Sequence, residues 1–131
     1  MAKTIKIFII MKALQNNFTT PEQSKRLLEL GVPADSADCI RVIATNMVLF
    51  IQEGRNAEYY IDKYNNERNV KAEPCWSVGR LIDISRICTT LPEEEYMSPF
   101  WYDTQDIVEW AILVIESGVR TGNMDFSKLE E

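Results

Sequence analysis

The chain contains no histidine. That absence removes the commonest metal ligand and every arrangement in which an imidazole activates a serine or cysteine. Cysteine is scarce too: Cys39, Cys75 and Cys88 are odd in number and lack CxxC spacing. Such a set is neither a disulfide framework nor a paired-cysteine zinc site. Three reduced, buried thiols are the simplest expectation, with one bridge plus one free thiol as the alternative. The five glycines, Gly31, Gly54, Gly79, Gly118 and Gly122, are scattered rather than gathered into a phosphate-cradling loop. No GxSxG, SxxK or EF-hand pattern occurs. Long apolar runs are missing as well. A membrane span takes about 20 apolar residues, and Ile7–Met11 is cut short by Lys12, below the roughly 7–15 residues of a signal-peptide core. A cytoplasmic protein, without membrane contact, is expected.

What is present suits one globular domain, residues 1–131, with 120–131 as a polar tail. At 131 residues roughly two-thirds of the unfolded surface can be buried, enough for a core without metals or disulfides. The composition is 46% hydrophobic and 26% charged, which argues against disorder. A net charge of -6 repels phosphate backbones and argues against nucleic acid as a partner.

The best-punctuated stretch is Thr19–Asp38. Thr20 is placed to cap a helix, Pro21 to start it and Gln23 to close a Thr-x-x-Gln capping box. Glu22 and Arg26 stand at helix-pair spacing. Gly31 suits a left-handed stop with Val32 packing on Leu27, and Pro33 forbids continuation. The spacing predicts a helix over 21–30. Before it, Ile7, Ile10, Met11 and Leu14 follow helical spacing within Lys3–Asn17.

Beyond it, β-branched runs broken by Thr45-Asn46 predict strands near 38–44 and 47–53, although Ile40, Ala44, Met47 and Ile51 also satisfy helical spacing and leave a helix as the alternative. A turn at Gly54–Asn56 then predicts a third strand over 57–64, ahead of a polar loop at 65–69. Ser77 is the expected cap of a helix over 77–88, with Val78, Leu81, Ile82, Ser85 and Cys88 on one side. A connector, Leu91–Pro99, carries Glu93–Glu95. A last helix is expected from Thr104 to Ser117, capped by Asp103 or Thr104, central and apolar on most sides, and stopped by Gly118. Met124, Phe126 and Leu129 are the tail's candidate docking points. The sum is an α+β fold: three or four helices packed on a small antiparallel sheet.

The candidate chemistry is thin. Asp35 with Asp38, Glu93–Glu95, and Asp103 with Asp106 are the acidic groupings; caps, turns and solvated faces explain them more simply than Mg²⁺ or Ca²⁺ sites. Neither a cofactor nor a metal is expected, and no catalytic residue stands out. Paired carboxylates acting as an acid–base couple remain a third reading, and an acidic surface that mimics nucleic acid a second. The first is a non-enzymatic protein that works through protein contacts, with a protein partner or a homodimer. Its candidate surface is aromatic: Trp76, Phe100, Trp101 and Tyr102 precede the two later helices, and consecutive aromatics cannot all face one core. The simpler reading is that they wedge loops onto the core. Arg80, Asp83 and Arg86 form a polar stripe, read as a solvated face.

Three blocks, TTPEQSKRLLELGVPADSAD, PCWSVGRLIDI and DIVEWAILVIESG, resemble a group of small uncharacterised proteins of gut bacteria and their prophages or other mobile elements. The resemblance implies helices packed on a small antiparallel sheet and an accessory role; it brings no activity or site with it. Ile40–Glu73 lies outside it.

Overall fold

The computed structural model describes residues 17–52, 54–92 and 106–130. The N-terminal helix expected before residue 17, and Glu93–Glu95, Phe100–Tyr102 and Asp103, lie outside them. Among the described residues, four α-helices and a three-stranded antiparallel sheet make an α+β arrangement.

Helix α1 (Pro21–Glu29) forms with the predicted punctuation. Thr20 Oγ1 accepts the Gln23 N–H at 3.2 Å, and Gln23 Oε1 accepts the Thr20 N–H at 3.0 Å. Gly31, at φ +98°, ends it: the Gly31 N–H donates to Leu28 O and the Val32 N–H to Leu27 O, both at 3.1 Å. These are the paired bonds of a Schellman stop, with Val32 and Leu27 both buried.

A short 3-10 turn, Ala34–Ser36, leads into β1 (Cys39–Val42), which hairpins to β2 (Met47–Phe50). Asn46 takes the positive φ the reversal needs, a conformation Asn tolerates. The first two predicted strands are therefore present, but the third is not where the alternation put it. Ala57–Glu67 is helix α2. Asn56 caps it by accepting the Tyr59 N–H at 2.9 Å. Ala57, Tyr60, Ile61 and Tyr64 then face the core at i, i+3, i+4 and i+7, a helical signal that outweighs the period of two. The third strand is instead β3 (Ala72–Cys75), which contains a proline.

The sheet order is β2-β1-β3, with Cys39 opposite both Phe50 and Cys75, and Arg41 opposite both Val48 and Glu73. The Ile43 N–H bonds to Lys71 O and the Ile51 N–H to Asp38 O. Antiparallel alternation then gives odd positions of β1 to β3 and even positions to β2. Pro74 falls at an outward-facing position of β3, where a missing N–H breaks nothing.

Helix α3 (Val78–Cys88) starts at the expected cap: Ser77 Oγ accepts the Arg80 N–H at 3.2 Å. Helix α4 (Ile107–Arg120) starts later and runs further than predicted. Its cap is Asp106, whose Oδ1 accepts the Val108 and Glu109 N–H groups. Gly118 does not stop it. The stop is Gly122 at φ +74°, where the Asn123 N–H donates to Gly118 O at 2.7 Å and the Gly122 N–H to Val119 O at 3.2 Å. Gly118 is glycine for another reason: a Cβ there would lie 2.6 Å from Met124 Cγ.

The core lies between one sheet face and the helices. Ile40 and Ala72 meet Leu27 of α1, Ala57 of α2, Leu81 and Ile84 of α3, and Val108, Ile112 and Ile115 of α4. After α4 the chain turns back across the bundle. The Thr90 N–H donates to Asn123 O, the Asp125 N–H donates to Cys88 O, and a 3-10 turn, Phe126–Glu130, follows. Met124, Phe126 and Leu129 pack on the core as expected. No helix among the described residues is long and apolar enough to cross a membrane.

Candidate functional site

Of the aromatic residues singled out in the sequence, only Trp76 lies within the described residues, and it is 0% exposed. It follows the last residue of β3, and its indole Nε1 donates to Ser36 Oγ at 3.1 Å. A buried indole with its one donor satisfied belongs to the core, which takes Trp76 off the candidate surface. Arg80 is committed in a similar way: its Nε donates to Ser36 O at 2.7 Å, leaving Asp83 and Arg86 as the exposed part of that stripe.

The acids are largely occupied in holding elements together. Asp38 accepts both the Ser77 N–H and the Ser77 hydroxyl, tying β1 to the start of α3. Glu109 and Glu116 of α4 both reach Arg26 of α1, so Arg26 does not make the expected pair with Glu22. Burial alone would raise the Glu109 carboxyl, but hydrogen bonds from Arg26 and Gln23 hold it below the usual carboxylate range. Glu22 and Glu73 line a groove of about 350 Å³ between α1 and β3, together with Lys25, Leu28 and Pro74. Glu73 is 3.4 Å from Lys71, and Glu22 is exposed. No group of three or more metal-ligating side chains comes together among the described residues.

The far face of the sheet has a different make-up. Side chains alternate, so Cys39 and Arg41 of β1, Val48 and Phe50 of β2, and Glu73 and Cys75 of β3 share it. Phe18 lies against Cys39, Cys75 and Val48, and its ring meets Phe50 edge-on at 5.6 Å between centroids. Segment 17–19 is held to the chain after β3 by the Thr19 N–H to Trp76 O and the Val78 N–H to Asn17 O, each 2.9 Å.

Beneath Phe18 is a buried polar knot. Thr19 Oγ1 accepts the Trp76 N–H at 3.0 Å and shares a proton with Ser24 Oγ at 2.7 Å. Arg41 is 4% exposed. Its Nη2 donates to Thr19 O at 2.8 Å and its Nη1 to Asn46 Oδ1 at 2.6 Å, while Nε is buried without a partner. No carboxylate pairs with Arg41 among the described residues, although Glu73 stands opposite it in the register. Cys75 Sγ donates to Thr19 O at 3.5 Å and is approached by the Thr19 hydroxyl at 3.6 Å and Arg41 Nη2 at 4.0 Å. Burial raises all three thiols above their ordinary value. Asp38 adds to the rise at Cys39, whereas Thr19 and Arg41 work against it at Cys75. The sequence reading of Cys39, Cys75 and Cys88 as buried small side chains agrees with their burial and free state.

The two sheet edges also differ. On β3 the outward positions are occupied by Pro74 and approached by α1. On β2 the outward backbone groups are those of Val48 and Phe50, and they have no partner among the described residues. Phe50 is 65% exposed, Met47 is also exposed, and Asn46–Gln52 contains no charge. The β-branched run that predicts this strand says nothing of its place in the sheet. The clue to an open edge was the absence of Lys, Glu or Pro, the residues that usually blunt one.

No protein-family model, curated protein or solved structure matches the chain.

Proposed function

We propose that this protein is a non-enzymatic accessory protein that works by protein contact, and that its contact surface is the open edge of β2. The observation that carries the reading is an uncharged edge strand whose Val48 and Phe50 backbone groups point outward, beside a Phe50 side chain that is 65% exposed. An exposed edge of this kind is a template for an incoming strand: main-chain bonds give affinity, and alternate side chains give specificity. The partner it fits is an extended, apolar segment of another protein, laid beside β2 with a side chain against Phe50 and Phe18. The resemblance of three sequence blocks to proteins of gut bacteria and mobile elements fits an accessory role of this kind.

Val48→Pro tests the reading directly. The Val48 N–H points away from β1, so its loss leaves the hairpin bonded but denies the incoming strand a donor. A photo-crosslinking side chain at position 50, in cells that make the protein, should give one dominant adduct that Val48→Pro abolishes. Adduct formation no greater than at the exposed control position Asp62, or insensitive to Val48→Pro, overturns the proposal. Met47→Lys, which places a charge on the same exposed strand, should weaken the same adduct while leaving circular dichroism unchanged. Sedimentation over a range of concentrations would show whether the added strand comes from a second copy.

A further inference from the structure

We propose that Cys39 and Cys75 are a cross-strand redox pair, joined by a disulfide bond when the protein meets hydrogen peroxide or a small-molecule disulfide. The proposal rests on register. Cys39 opens β1, Cys75 closes β3, and the two stand directly opposite each other on the far face, in one apolar cluster under Phe18. The odd positions of β1 make the hydrogen-bonded pairs with β3, and such pairs have Cα atoms about 5.5 Å apart. That separation lies inside the roughly 4.4–6.8 Å that disulfides span. The pair is also the last rung of its ladder. Cys88 is elsewhere, at the end of α3, with Asp125 and Lys128 near it.

The two sulfurs are not equivalent. Cys75 has donors aimed at it, the Thr19 hydroxyl and Arg41 Nη2, which favour a thiolate. Cys39 has the Asp38 carboxylate nearby, which disfavours one. Cys75 is therefore the attacking sulfur and Cys39 the resolving one. With peroxide, the Cys75 thiolate attacks one oxygen and the O–O bond breaks. A sulfenic acid forms, and hydroxide leaves to become water. The Cys39 sulfur then attacks Cys75, the S–O bond breaks, and a second water departs with the Cys39 proton. Two thiols and one peroxide become one disulfide and two waters. Both sulfurs are buried, so segment 17–19 must lift before oxidant enters. The reaction is therefore slow and speeds up with pH as thiolate accumulates.

The test uses the full chain. It is treated with hydrogen peroxide, quenched, unfolded, alkylated and weighed, and its peptides are mapped. Of the three thiols, one should remain to be alkylated, with the mass lowered by two hydrogens and Cys39 linked to Cys75. Cys88→Ser should still cross-link; Cys39→Ala should not, and should instead accumulate oxidised Cys75. The same treatment in denaturant is the control. There the shorter Cys75–Cys88 loop closes more readily, so a Cys39–Cys75 bond formed only in the native state reports the fold. Three alkylated thiols after oxidation overturn the proposal. So does a bond to Cys88, a bond between chains, or the same distribution of bonds with and without denaturant.

Discussion

Ile40 and Val42 point to one face of the sheet, and Cys39 and Arg41 to the other. All four side chains are buried. On the helix side Ile40 lies in a hydrocarbon cluster to which all four helices contribute, and it needs no partner beyond shape. On the far side the same strand meets thiols, hydroxyls, a carbonyl and a guanidinium that pairs with no carboxylate among the described residues, closed over by Phe18. A central strand buried on both sides does not show the usual apolar–polar alternation. Here the alternation separates a hydrocarbon side from a side that carries thiols and hydrogen-bonded polar groups. A packed hydrocarbon face tolerates little change in volume, whereas a hydrogen-bonded face depends on which groups keep partners.

The sharpest way to break this comparison is to shorten a side chain on each face and read stability by chemical denaturation. Ile40→Ala should have the largest effect, about 2–5 kcal/mol, because it leaves a cavity inside a fully buried hydrocarbon cluster that can close in only partly. Phe18→Ala comes next, at about 3 kcal/mol, the low end for a buried Phe, since its ring rests partly on exposed Phe50. It should also speed thiol labelling at Cys39 and Cys75 but not at Cys88. Equal labelling at all three would mean that Phe18 is not what covers the pair. Arg41→Met should change stability least, by less than about 1 kcal/mol, because it removes a buried, partly unsatisfied charge and fills much of the same volume. Thr19 O keeps the Cys75 thiol as a donor in that variant. A loss as large as that of Ile40→Ala would show that the far face, too, is a main support of the fold.

Local signals were legible where a short rule decides the outcome. Thr20, Gln23, Gly31 and Ser77 act as caps and stops that involve only near neighbours, and each does what its spacing predicts. Errors arose where distant contacts decide. Tyr59 and Ile61 alternate like a strand, but Asn56 caps a helix and the core selects its period. Pro74 argues against a strand until β3 is seen to turn that position outward. Gly118 reads as a stop, yet Met124, placed by a later turn, is what requires a glycine there. The same limit applies to function. Trp76 is open in the sequence to two readings, surface aromatic or core wedge, and its burial and its partner Ser36, far away in sequence, decide for the core. The Cys39–Cys75 apposition and the place of β2 at the edge of the described sheet follow from register, which no stretch of sequence displays alone.

The return of the chain after α4 bears on the order of events during synthesis. Asn123 and Asp125 bond to the end of α3, Met124 fills the space beside Gly118, and Phe126 lies against Gly31 at the stop of α1. Three helix ends thus share a closure made by residues that follow all of them in the chain. A ribosome adds about 5–20 residues per second. Residues 123–126 follow the end of α4 by only a few positions, so α4 and this closure are made almost together, long after α1 and α3. The ends of α1 and α3 therefore stay open to solvent until α4 and the short segment after it have both emerged.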